Sequence, residues 1–165
     1  YCDNAEVGEE QVKQLLGFLP GTLIVFQTNF LQTWWGNLNE NWQTIFKNSL
    51  KLDPEPTREQ LHELIALKEI SFENSPIQSL ASLEPFLRLE HLSFHDTPLT
   101  DLSPLQYQQE LISLDCSRNP IADLSPLQQL TKLKELNIQN TPVEDLSLLG
   151  TTLNLEILNC SGTQI

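Results

Sequence analysis

Methionine is absent from this chain, and positive charge is scarce: nine Lys and Arg stand against 22 Asp and Glu among 165 residues, a formal charge of −13. A field of that sign repels phosphate backbones and anionic lipid, which argues against nucleic acid and bare membrane as partners. Long apolar runs are missing too. The longest nearly apolar stretch, Gly17 to Phe26, is interrupted by Pro20 and Gly21 and falls well short of the roughly 20 residues a membrane-spanning helix needs. Tyr1 to Glu10 shows no basic stretch followed by an apolar one, so no signal peptide is visible. Without an initiator methionine, the chain is expected to begin inside a longer precursor.

Motifs that announce chemistry are also lacking. No Gly-rich phosphate loop, Cys-x-x-Cys pair, His-Glu-x-x-His or Gly-x-Ser-x-Gly occurs. The expectation is therefore a protein that is not an enzyme, with no cofactor and no metal. Three cysteines, an odd number, do not make a disulfide framework.

What the sequence does contain is a repeat. Leu67, Leu89, Leu111, Leu133 and Leu155 are each 22 residues apart. Counting from each of these leucines, offset 3 is Ile70, Leu92, Leu114, Leu136 and Leu158. Offset 5 is Phe72, Phe94, Cys116, Ile138 and Cys160, and offset 10 is Ile77, Leu99, Ile121, Val143 and Ile165. All twenty positions are apolar. Each unit's second half repeats as well, with Leu80, Leu102, Leu124 and Leu146 at offset 13 and Leu83, Leu105, Leu127 and Leu149 at offset 16. Asp101-Leu102-Ser103-Pro104-Leu105 is echoed as Asp123-Leu124-Ser125-Pro126-Leu127. The period-2 part reads as a short strand, and the Leu-Ser-Pro-Leu part as a tight turn or single helical turn. One unit cannot bury its apolar face alone, whereas stacked copies share a continuous core beneath a parallel sheet.

Over Leu64 to Ile165 this pattern resembles the leucine-rich-repeat family, in its short 22-residue class of internalins and of a phosphatase regulatory subunit. The resemblance implies an α/β right-handed solenoid: a curved parallel sheet with short turns or 3-10 segments on the convex side. It departs from the family at offset 8, usually Asn, where this chain has Ser75, Thr97, Asn119, Thr141 and Thr163. Hydroxyls complete part of the side-chain ladder that Asn would make, so fewer such bonds per coil are expected. Capped short repeats with such strands and turns also look like those of bacterial proteins.

Residues 1–63 are expected to form a helical cap and 64–165 the solenoid, about five units with the last incomplete. Glu9 to Phe18 reads as a helix with Val12, Leu15, Leu16 and Leu19 on one side. A second helix is read over Asn41 to Leu50, and a third from Pro56, where Thr57 and Gln60 fit a capping box. Thr22 to Phe26 reads as a short strand. Trp34 and Trp35 suit ligand stacking or burial against the end of the repeat core, and burial is the commoner use of large aromatics.

The two repeat cysteines, Cys116 and Cys160, share an inward offset two strands apart, about 9.6 Å. That exceeds the roughly 7 Å reach of a disulfide, so both are read as small buried hydrophobes. Cys2 falls in a terminal stretch with no supporting signal. Free buried thiols are compatible with a reducing interior, which favours the cytoplasm, although internalin relatives are exported.

Offsets 2, 4 and 6 alternate with the buried ones and face the concave side. They hold Glu69, Ser71 and Glu73; His91, Ser93 and His95; Ser113, Asp115 and Ser117; Glu135, Asn137 and Gln139; and Ile157, Asn159 and Ser161. Fourteen of these fifteen are polar and none is Lys or Arg. His91 and His95 lie about 13 Å apart along an extended strand, too far for one ion, so pairs with Glu69 and Glu73 across strands are the better reading. Leucine-rich repeats of this class bind macromolecules on that face, and the acidic surface suits a protein with a basic or polar one. A regulatory or sensor segment of a larger bacterial signalling or defence protein is the alternative. The last unit stops at offset 10, so either more chain is expected to follow or two copies to associate at that edge.

Overall fold

A computed structural model of the chain describes residues 28–150 and 154–165, together with the single positions Gln14 and Phe18. The helix expected over Glu9 to Phe18, the strand over Thr22 to Phe26, and Cys2 lie outside the described residues, apart from Gln14 and Phe18, both exposed. The chain divides into two compact units, Tyr1–Ala66 and Leu67–Ile165.

In the first unit three helices are described: α1 (Thr28–Asn37), α2 (Glu40–Leu50) and α3 (Arg58–Ile65). Two of them begin and end where side-chain chemistry dictates. Asn39 caps α2 by accepting from Trp42 N at 3.0 Å, and Lys51 closes that helix in a left-handed conformation, φ 51°. Thr57 and Gln60 form the reciprocal capping box: Gln60 N donates to Thr57 Oγ1 at 3.3 Å and Thr57 N donates to Gln60 Oε1 at 2.8 Å. Trp42, Ile45 and Phe46 on α2, and Leu61, Leu64 and Ile65 on α3, are buried.

Helix α1 has no counterpart in the sequence expectation. Leu31, Trp34 and Trp35 turn inward at i, i+3 and i+4, and the Gly36 and Asn37 that follow, poor helix formers, make the segment read as a loop. Trp35 is buried and Trp34 half-buried; the Trp34 ring lies 5.5 Å from Phe46, which stacks on Trp42 at 5.1 Å. The indoles thus belong to the packing among these helices.

The second unit is a stack of coils. Five strands, β1 (Glu69–Glu73), β2 (His91–His95), β3 (Ser113–Asp115), β4 (Glu135–Asn137) and β5 (Ile157–Asn159), lie in sequence order in one parallel sheet. Residues 22 apart are paired throughout: Glu69 with His91, His91 with Ser113, Ser113 with Glu135 and Glu135 with Ile157. After the strands, short 3-10 turns span Ala81–Leu83, Ser103–Tyr107, Ser125–Gln129 and Ser147–Gly150. Each of the last three is started by an aspartate two residues ahead. Asp101 and Asp123 accept from Ser103 N and Ser125 N at 2.8 Å, and Asp145 accepts from Ser147 N at 2.7 Å.

The apolar columns form the core. Leu89, Leu111 and Leu133, Leu92, Leu114 and Leu136, and Leu99, Ile121 and Val143 are all buried. Two features of the coil escaped the repeat pattern. Offset 7 holds Asn74, Asp96, Arg118, Asn140 and Gly162, and every one has positive φ, between 48° and 73°. The strand therefore turns into the next segment through one left-handed residue in each coil, a conformation that Asn, Asp and Gly tolerate best. The second feature is Gln108, buried in a column otherwise occupied by Phe86 and Leu130, where its amide donates to Leu83 O at 2.9 Å.

Candidate functional site

The open face of the sheet follows from the period of two along each strand. In β1 exposed and buried residues alternate, with Glu69, Ser71 and Glu73 outward and Ile70 and Phe72 inward. Phe72 stacks on Phe94 of β2 beneath that face, at 5.7 Å between ring centres. Outward on β2 are His91, Ser93 and His95; on β3, Ser113 and Asp115; on β4, Glu135 and Asn137; on β5, Ile157 and Asn159. The last three strands are two residues shorter than the first two, so offset 6 lies beyond them.

That shortening moves one expected surface residue. Ser117 is buried, 3% exposed, and its amide nitrogen donates to Asp115 Oδ1 at 3.0 Å as the chain curls away from the sheet. The same curl recurs at Asn137 with Gln139 and at Asn159 with Ser161, where the offset-4 side chain again accepts from the offset-6 amide. Gln139 keeps partial exposure and Ser161 is exposed.

Neighbouring coils are laced across the face. Ser113 Oγ donates to Glu135 Oε2 at 3.1 Å, and Asn137 Nδ2 donates to Asp115 Oδ2 at 2.9 Å. Both oxygens of Asp115 are thus engaged, one by its own coil and one by the next. The lower rim carries ion pairs at the same 22-residue spacing: Lys68 with Glu90 at 2.6 Å and Lys134 with Glu156 at 2.7 Å. Between β1, β2 and β3 lies an open depression of about 290 Å³ whose polar lining is Glu69, His91, Ser93, Ser113 and Asp115.

One cation at the edge of this face was not anticipated. Arg118, at the left-handed offset 7, points back to the preceding coil and holds Asp96 through Nε, 3.0 and 2.9 Å from the two carboxylate oxygens. The guanidinium beside Asp96, with help from His95, keeps that carboxyl below its usual range, and Asp96 in turn raises Arg118. His95 is placed as expected opposite Glu73, its Nε2 lying 3.4 Å from Glu73 Oε2. Arg118 was legible only as the member of the offset-7 column carrying charge opposite to Asp96, a signal that required knowing that offset 7 faces the rim.

Offset 8 lies under the face. Asn119, 2% exposed, donates to Phe94 O at 2.9 Å and Cys116 O at 3.0 Å and accepts from Thr97 N at 2.8 Å and Thr97 Oγ1 at 2.7 Å. Thr141 and Thr163 each donate to a carbonyl of their own coil, Ile138 O and Cys160 O, at 2.7 Å. Cys116 and Cys160 are free thiols; burial pushes the Cys116 thiol well up, the charge of Asp115 adds to the shift, and the group is held as an inert thiol. Among the described residues no group of three or more His, Cys, Asp or Glu side chains is arranged to hold a metal ion, and no helix is long and apolar enough to cross a membrane.

A parallel sheet of identical coils joined by 3-10 turns defines a repeat solenoid. Residues 109–151 match the family model described as Leucine Rich repeats (2 copies), and the stacked coils have the leucine-rich-repeat fold. No curated protein sequence matches it. Among solved structures it is similar to internalin C2 of Listeria monocytogenes, with 30% identity over 52% of this chain and 38% of that one and a TM-score of 0.50. It is also similar in fold to internalin InlF of the same species, at 24% identity over 79% of this chain and 38% of that one, TM-score 0.67. A third, the functional domain of InlJ from L. monocytogenes, described as including a cysteine ladder, matches at 24% identity over 81% of this chain and 28% of that one, TM-score 0.64. The chain therefore spans less than two fifths of the length of each of these structures.

Proposed function

We propose that the repeat unit is a protein-binding module and that the open sheet face, from Glu69 to Asn159, receives a partner with a basic or polar surface. The observation that carries this reading is the state of the carboxylates. Glu69, Glu73 and Glu135 are exposed on a face of short side chains, while the cations at its edges are engaged elsewhere, Lys68 with Glu90, Lys134 with Glu156 and Arg118 with Asp96. A partner's backbone can come close to Ser71, Ser93 and Ser113, and its Lys or Arg side chains meet the exposed carboxylates of Glu69 and Glu135, with Glu73 shared with His95. Charge of one sign on such a face accelerates encounter with a basic surface and loses its effect as salt rises.

The test combines Glu69→Gln, Glu73→Gln, Asp115→Asn and Glu135→Gln in one chain whose fold is verified by circular dichroism. Association with a partner captured by the wild-type chain is then measured at low salt. The variant is expected to associate more slowly, with a flatter salt dependence. Unchanged association would move the interface to the 3-10 turns or to the helical unit.

A further inference from the structure

His95, Asp96, Arg118 and Glu73 meet at the rim of the sheet, and their hydrogen bonds cannot all exist in one protonation state. Arg118 Nη2 lies 2.8 Å from His95 Nδ1 and 2.8 Å from Asp96 Oδ2, while His95 Nδ1 lies 3.0 Å from that same carboxylate oxygen. A guanidinium nitrogen only donates, and an ionised carboxylate only accepts. His95 Nδ1 therefore has two exclusive options. Carrying a lone pair, it accepts from Arg118, and the ring hydrogen sits on Nε2, facing Glu73. Carrying a hydrogen, it donates to Asp96, two donors then oppose each other 2.8 Å apart, and the guanidinium nitrogen has to leave.

We propose that His95 is a proton switch built into the open face: the neutral ring anchors Arg118 across two coils, and uptake of one proton at Nδ1 passes the Asp96 oxygen to the imidazolium and frees Arg118 Nη2 toward Glu73 and Asp115. The groups that act on the ring come from each neighbouring coil. Glu73 faces it from β1, Asp96 from its own coil and Arg118 from the third coil. Glu73 and Asp115 also act on the charge of Arg118, so both lie within electrostatic reach of the freed nitrogen. Arg118 does not detach altogether, because its Nε keeps the Asp96 oxygens at 3.0 and 2.9 Å. Protonation of the ring gives the rim one positive charge and a guanidinium end that is no longer fixed, on the surface proposed above to meet a partner. The geometry of the switch does not depend on that proposal.

Nuclear magnetic resonance on the isolated full chain, titrated from about pH 8 to about pH 5, reads the switch without any partner. At the high end the His95 ring is expected as the Nε2–H tautomer with Nδ1 unprotonated. As the ring titrates, the Arg118 guanidinium resonances are expected to move with the same midpoint. His95→Gln should make the Arg118 resonances flat over that range, and His91→Gln should leave the response intact. An Nδ1–H tautomer at high pH, or Arg118 resonances that ignore the His95 midpoint in the wild-type chain, would overturn the proposal. The wild-type titration alone decides the matter if either variant fails to fold, and loss of partner binding with an intact titration would count against the binding reading only.

Discussion

The third and fifth coils are written with the same apolar pattern and are not packed alike. Leu114 is 1% exposed and Leu158 is 39% exposed; Ile121 is 0% exposed and Ile165 is 62%. Cys116 is buried and Cys160 half-buried. Strand β3 pairs on both sides, whereas among the described residues β5 pairs with β4 alone. An offset in the repeat determines the direction in which a side chain points. Burial comes from the neighbouring coil, so two residues that look equivalent in sequence differ in energetic weight by whether they are covered once or twice.

The largest expected consequence lies in that column. Leu114→Ala removes a side chain packed from both sides and is expected to cost about 3 kcal/mol, within the usual span for buried leucine truncation. Leu158→Ala should cost less than about 1 kcal/mol, because much of its surface is already in water. Urea unfolding of both variants at matched slope measures the difference. Equal losses would mean that the final coil is as tightly held in solution as the central one.

Offset 8 sharpens the same comparison with polar groups. Asn119 serves four backbone or hydroxyl partners, three of them in the preceding coil, while Thr163 serves one in its own. Asn119→Ala leaves the buried Phe94 and Cys116 carbonyls and the Thr97 amide without that partner, and a loss of about 2 kcal/mol is expected. Thr163→Val should cost under about 1 kcal/mol. Hydrogen exchange would check the assignment directly, with faster exchange at Thr97 N in the Asn119 variant.

Much of this is legible in the sequence. Twenty apolar positions at one spacing compel stacked coils, and alternation along the strands dictates which residues face out. The Thr57 and Gln60 capping box and the register of Glu73 opposite His95 follow from spacing alone. Three features did not, each for a local reason. Helix α1 turns Leu31, Trp34 and Trp35 inward at helical spacing, but it is ten residues long and ends on Gly36 and Asn37, poor helix formers that read as a loop. Alternation alone points Ser117 to the open face, but β3 ends at Asp115, and a bond from the Ser117 amide to Asp115 turns the chain inward. Arg118 belongs to the turn that leaves the strand, outside the apolar pattern of the repeat, and its role depends on a positive φ that no arginine advertises.

Gly162 occupies that same left-handed offset in the fifth coil, and there the requirement for glycine is steric as well as conformational. A Cβ built on Gly162 would run into Asn140 Oδ1 and sit 3.2 Å from Asn140 Cγ. Gly162→Ala is expected to lose about 1 kcal/mol from the positive φ, with a further loss if the Asn140 side chain cannot swing clear. Asn140→Ala in the same chain should recover the second part and leave the first. A double-mutant cycle with no coupling would show that Asn140 moves aside freely in solution.

The smallest expected effect is the dependence of stability on acid, and its sign is fixed by three aspartates. Bonds from Arg118 and His95 hold Asp96 below the ordinary value of 3.8, and bonds from the Ser103 hydroxyl and amide and from the Ser147 amide and hydroxyl do the same for Asp101 and Asp145. A carboxyl with a lowered value in the folded chain binds its proton more readily when unfolded, so it contributes stability above the ordinary value. That contribution disappears as pH falls through the folded one. Urea midpoints should therefore hold near neutrality and decline below about pH 4. Asp101→Asn and Asp145→Asn together should flatten that decline, because an amide oxygen still accepts from the turn but takes up no proton. The two turns start different coils, one covered on both sides and one next to the last strand. If Asp145→Asn alone removed most of the acid sensitivity, the turn of the fourth coil would carry it and the turn at Asp101 would not.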